Sequence, residues 1–170
     1  MLSLKGKVAL VMGCGAVADG WGNGRATAVL LARQGAKVFG TDLILANAEE
    51  TKRLIEAEGG ECHVMPCDAT QSAQVAQVVQ DCIQRFGRID ALVNNVGLSQ
   101  PGGPVDMEES VWDSQMQVNL KSAFLGCKYV IPHMRKQGGG AIVSVGSVAG
   151  VRYVGKPQVA YAAAKAGLLH

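Results

Sequence analysis

The chain has 170 residues, 48% of them hydrophobic and 18% charged, with mean hydropathy +0.16, a composition that excludes a disordered chain. Sixteen Lys and Arg against fourteen Asp and Glu leave a formal charge of +2, and the cations are scattered rather than gathered, so no nucleic-acid partner is called for. The length suits one domain, residues 1–170, and no apolar run approaches the roughly 18 residues of a membrane span. Met1 to Lys7 lacks the apolar core of a signal sequence, and the reading is of a cytoplasmic protein without a membrane partner. Five cysteines form no Cys-x-x-Cys pair, and the three histidines have no ligand partner one helical turn away, so neither a disulfide framework nor a metal site is indicated.

Lys7 to Met12 is a short apolar run that predicts a strand. A glycine-rich loop follows, and Arg25 to Gln34 has helical spacing of Ala26, Val29 and Leu30. The unit then recurs. Lys37 to Asp42 predicts a strand, Ala46 to Glu58 a helix, Cys62 to Pro66 a strand, and Ser72 to Arg85 a helix with Val75, Val78, Val79 and Cys82 on one side. Ile89 to Val93 is the fourth strand, and Glu108 to Lys136 contains one long helical stretch. Ala141 to Val145 is the fifth strand, before a last helix from about Val159. Strands apolar on both faces and separated by helices imply an α/β fold, a doubly wound parallel sheet in three layers, because right-handed crossovers cover both faces. The sequence stops at His170 within that last helix with no stop signal, so further C-terminal strands are expected to be missing.

Candidate functional residues collect where these strands end. The loop from Gly13 to Gly24, with Gly22 and Asn23 at the helix start, follows a strand and opens a helix. That is the arrangement in which backbone N–H groups approach a pyrophosphate. Asp42 closes the second strand, where its carboxylate would accept hydrogen bonds from an adenosine ribose and repel a 2'-phosphate. With no Lys or Arg between Gly13 and Gly24 and a negative Asp19 there, NAD is favoured over NADP. Asp68 and Ala69 follow the third strand, and Asn94, Asn95 and Gly97 the fourth; Asp68 also suits a helix cap, and the asparagines suit turns. Tyr161 and Lys165, at i and i+4, share one helix face, so the ammonium would favour phenolate and suit the tyrosine to general acid/base work. Ser147 brings a hydroxyl to the same edge of the sheet.

Taken in order, the glycine loop into Gly22-Asn-Gly24, Asp42, Asp68, Asn94-Asn95-Val96-Gly97, Val118-Asn119-Leu120, Ile142 to Gly150 and Tyr161-Ala-Ala-Ala-Lys165 resemble a short-chain dehydrogenase/reductase over nearly the whole chain. The resemblance implies a Rossmann-like fold and hydride transfer between NAD(H) and a secondary alcohol or ketone. It also implies a tetrad of Asn119, Ser147, Tyr161 and Lys165. Ser147 would hydrogen-bond the substrate oxygen and Tyr161 would pass the proton, while Lys165 held the cofactor ribose and Asn119 anchored a water. Members pair through the helices that hold Asn119 and Tyr161, which implies a homodimer or homotetramer at full length. This chain departs from the pattern at Met12, where the family has Thr, at Val96, where it has Ala, and in the eight residues between Gly13 and Gly22, where it has three. The competing reading is a catalytically inactive nucleotide-binding relative or fragment.

Overall fold

The computed structural model describes residues 3–18 and 20–170, so the Asp19 charge invoked for cofactor choice lies outside the described residues. Five strands pair in parallel in the order β3-β2-β1-β4-β5. They are β1 Val8–Met12, β2 Lys37–Asp42, β3 Cys62–Pro66, β4 Ala91–Asn94 and β5 Ala141–Ser144. Each strand but the last is followed by helix: α1 Asn23–Arg33, α2 Leu45–Ala57, α3 Ser72–Phe86, then α4 Glu109–Met116 and α5 Ser122–Lys136 after β4. A 3-10 turn at Val148–Gly150 and helix α6, Val159–Leu169, complete the order.

The apolar residues on both faces of β1 are accounted for by two separate cores. Val8, Leu10 and Met12 pack with Val75, Val79 and Cys82 of α3 and with Leu125, Val130 and Met134 of α5. Val11 turns the other way, to Ala28 and Val29 of α1 and Ala48 and Ile55 of α2. Strand alternation therefore assigns one pair of helices to each face. Four of the five cysteines are buried in these layers, and burial pushes the Cys62 thiol up to about 12 and Cys67 up to about 11. Such thiols pack as small hydrophobes.

Two features differ from the sequence reading. The long helical stretch before β5 is interrupted at Gln117–Lys121 by one π-turn. Its centre is Asn119, whose Nδ2 donates to the Gln115 carbonyl at 2.9 Å, placing a side chain where a helix ordinarily has a backbone N–H. The fifth strand is shorter than Ala141 to Val145 and ends at Ser144, and as the sheet edge it is exposed along its length, Val143 by 57%. Among the described residues no helix is long and apolar enough to cross a membrane, and no cluster of three or more His, Cys, Asp or Glu could hold a metal.

Candidate active site

Strand order reverses between β1 and β4, and at such a switch point the loops leaving neighbouring strands diverge and open a crevice. The hydrogen-bond ladder continues past the strand ends here. Asn95 N–H donates to Met12 O at 3.1 Å, and Gly13 and Cys14 N–H both donate to Thr41 O at 2.8 Å. Across the switch the Asn95 side-chain Nδ2 donates to Gly13 O at 2.7 Å, joining the first and fourth loops. A cleft of about 310 Å³ sits above them, lined by Gly13, Gly15, Asp42, Asp68, Ala69, Asn95, Val96 and Gly97 among others.

The glycines are dictated by contact. Gly13 has φ +79°, and a side chain there would press on Val96. A Cβ at Gly24 would overlap Gly13 O, and one at Gly15 would come within 2.6 Å of Asp42 Oδ2. Gly22 is the N-cap of α1, so Asn23 and Gly24 form its first turn, but these three lie behind the cleft rather than in its lining. The long loop is tied down from below. The buried Arg25 guanidinium donates to Gly20 O and to Thr51 Oγ1, and the Thr51 hydroxyl donates to Cys14 O at 2.8 Å. The cation nearest the glycine loop is thus spent on the loop's own carbonyl and on α2.

Asp42 stands at the cleft with its Oδ2 accepting from Gly15 N–H at 3.0 Å and its Oδ1 from Ile44 N–H at 3.1 Å. Both the turn-forming and the ligand-facing roles fit, since each carboxylate oxygen keeps a free lone pair. Asp68 likewise lines the cleft while its Oδ1 accepts from Thr70 N–H and Oγ1 ahead of α3. Desolvation acts against its charge, but the Thr70 bonds win and hold the carboxyl below the ordinary aspartate value. Asn94 is not brought to the cleft lining. It points between β4, β5 and α5, donating to Ser144 Oγ at 3.2 Å and crowding Gly126, with its Oδ1 buried and unpaired. Leu43, Ile44, Asn47, Thr70 and Val118 also line the cleft, although nothing in their sequence pattern singles them out.

The other group of polar residues gathers under Gly97. Had Gly97 a Cβ, it would lie 3.1 Å from Asn119 Oδ1 and 3.4 Å from Lys165 Nζ, so both come up beneath it and the missing side chain eases the closer approach, that of Asn119. Asn119 is 1% exposed and its amide is consumed by backbone, Oδ1 by Leu98 N–H at 3.0 Å and Nδ2 by Leu98 O at 2.8 Å and Gln115 O. Lys165 is 3% exposed and donates to Val145 O at 2.7 Å, and among the described residues no carboxylate forms an ion pair with it. Burial pushes its ammonium below the usual lysine value. Its Nζ lies 5.8 Å from the centroid of the partly exposed Tyr161 ring. Ser147 is three residues beyond β5 and caps the 3-10 turn by accepting from Ala149 N–H at 3.2 Å. That turn is pressed onto α6: a Cβ at Gly150 would meet the Lys165 carbonyl carbon at 2.6 Å. Tight backbone packing therefore fixes Ser147 relative to Tyr161 and Lys165.

Residues 7–170 match the family described as short chain dehydrogenase. Among curated relatives, the 3-oxoacyl-[acyl-carrier-protein] reductase FabG of Thermotoga maritima is 38% identical over 168 residues, covering 99% of this chain and 66% of its own length. A solved structure described as a short-chain dehydrogenase/reductase from Burkholderia xenovorans superposes with TM-score 0.96 at 52% identity, over 98% of this chain and 66% of that one. A 7α-hydroxysteroid dehydrogenase, solved with NADH and 7-oxo glycochenodeoxycholic acid, has TM-score 0.89 at 32% identity, over 97% of this chain and 62% of its own. This chain spans 59–66% of the length of the curated relatives it matches.

Proposed function

The chain belongs to the short chain dehydrogenase family, and from that membership we propose that it is the cofactor-binding and catalytic part of an NAD(H)-dependent oxidoreductase acting on a secondary alcohol or ketone. The observation that carries the reading is the approach of Asn119 and Lys165 to the cleft floor through the gap at Gly97, beside the turn that holds Ser147. The glycine cradle fits a dinucleotide: a side chain at Gly13 would press on Val96 and one at Gly15 on Asp42, so without them the backbone stays open to close approach of a ligand at the mouth of α1. When bound, the nicotinamide supplies or takes a hydride.

The chain's own residues do the rest. Ser147 Oγ accepts from Ala149 N–H, and its own proton is free to donate to a substrate oxygen. Tyr161 passes a proton to that oxygen during reduction and takes it back during oxidation, so proton and hydride together account for the two hydrogens. Lys165, anchored on Val145 O, presents its remaining N–H groups to the ribose and to the phenol. With the Asn119 amide buried and bonded to Leu98 and Gln115, the proton-relaying water falls to its backbone carbonyl in the π-turn. Asn119 thus positions the cleft floor as well.

NAD is favoured over NADP because Asp42 occupies the ribose end of the cleft and Arg25 is engaged beneath the loop rather than exposed to a 2'-phosphate. Exposed Trp112 on α4 and Phe124 on α5 support pairing of two copies through these helices. Titration of nicotinamide fluorescence tests the cofactor reading. NADH should bind at least about tenfold more tightly than NADPH, a difference of about 1.4 kcal/mol; tighter NADPH would remove Asp42 from its role.

A further inference from the structure

A second cavity, of about 260 Å³, lies against the first turn of α6, between residues 102–104 and 152–158. It neighbours the reaction centre through Ala149, a wall residue whose N–H holds Ser147 Oγ, and its wall includes Val159 and Ala162 of the helix that carries Tyr161. The wall is laced together across the chain. Gly102 N–H donates to Pro157 O at 2.9 Å, Val159 N–H donates to Gly102 O at 3.1 Å, and Ser99 Oγ donates to Gln158 Oε1 at 2.9 Å.

The chemistry of the lining is one-sided. Glycine, proline, alanine and valine make most of it, and its charged members are Arg152 and Lys156, both exposed and neither in an ion pair among the described residues. Gln158 adds an amide whose oxygen is already taken by Ser99, which leaves its N–H donors. No carboxylate lines the cavity. Asp106 stands beside Gly103, with its Oδ2 3.8 Å from where a Cβ would sit, and Glu109 lines a neighbouring groove with Met107 and Trp112. A cavity with an apolar body and unpartnered cationic donors at its edge is complementary to a carbon skeleton ending in an anion.

We propose that this cavity receives the non-reacting end of the substrate and that this end carries a carboxylate, so that the alcohol or ketone is a hydroxy or oxo acid. This rests on the oxidoreductase reading above, whose centre it adjoins. Arg152 and Lys156 would fix the carboxylate, and the small residues of α6 and of the 102–104 loop would cover the carbons next to it.

The test compares 3-hydroxyhexanoate with its methyl ester, two ligands that differ in one charge. Binding to the chain is measured by calorimetry with NADH present, so that no hydride can leave, at low and moderate salt. The carboxylate should bind at least about tenfold more tightly than the ester, and the preference should shrink with salt. Arg152→Gln with Lys156→Met, which keep the stems and remove the charges, should abolish the preference while NADH fluorescence shows unchanged cofactor binding. Equal binding of acid and ester, or a preference that survives the double substitution, overturns the proposal. Failure of NADH to bind while the acid preference persists would instead count against the oxidoreductase reading alone.

Discussion

Tyr161 and Lys165 share a helix face but answer to different neighbours. The ammonium is held by Val145 O, while the phenol, partly exposed, has no hydrogen-bond partner among the described residues. Tyr161→Phe should therefore cut turnover by at least about a hundredfold, the scale of a lost general acid, and leave NADH affinity unchanged. Stopped-flow hydride transfer beside fluorescence titration measures both, and near-normal turnover would take the proton away from Tyr161. Lys165→Ala should damage both quantities, because it leaves Val145 O without its donor and takes away the ammonium proposed to hold the ribose.

At the scale of elements, the site depends on how closely the loop after β4 settles on the π-turn and α6. Gly97→Ala puts a methyl group 3.1 Å from Asn119 Oδ1, so the Asn119 amide must give by a few tenths of an ångström, while Lys165 Nζ, at 3.4 Å, is merely touched. Overpacking of this kind costs about 1–3 kcal/mol. A urea melt should show that loss, and turnover should drop more than about tenfold; wild-type turnover would mean that the floor tolerates displacement. The strands, the helices and the placing of the site at the strand ends were legible in the sequence, because apolar runs and helical spacing are local signals. The π-turn was not, since it is set by Asn119 bonding to Leu98 and Gln115, contacts that no periodicity encodes. The inward turn of Asn94 could have been read. It lies two residues beyond Leu92, which belongs to the α3 and α5 core, and side chains two apart on a strand share a face. Asn95, on the opposite parity, reaches Gly13 instead.

For the whole molecule, acid should loosen the end of the sheet opposite the cleft. Asp90 accepts from Arg88 at 2.7 Å, from Lys7 at 3.2 Å and from Val8 N–H at 3.0 Å, where β1 begins and the chain enters β4. Desolvation raises its pKa, but these donors outweigh it and hold the carboxyl below the ordinary aspartate value. The folded chain then binds fewer protons than the unfolded one. Its contribution is complete above about pH 4 and is lost as pH falls through the lowered value. Asp90→Asn should cost about 2 kcal/mol at neutral pH and flatten the acid limb of a stability-against-pH curve; an unchanged limb would assign it to other carboxylates. At the opposite end, the hydrogen bond from Asn95 to Gly13 closes a loop of 82 residues. Such a long-range closure is entropically slow, so the crevice should be completed late in folding, after β1 to β3 and their helices have local contacts to guide them. A dinucleotide that bridges the same two loops would then act as a folding ligand: at 100 times its dissociation constant it should add about 2.7 kcal/mol, read as a raised melting temperature. By slowing unfolding more than it speeds folding, it would make the cellular lifetime of this protein follow the supply of its own cofactor.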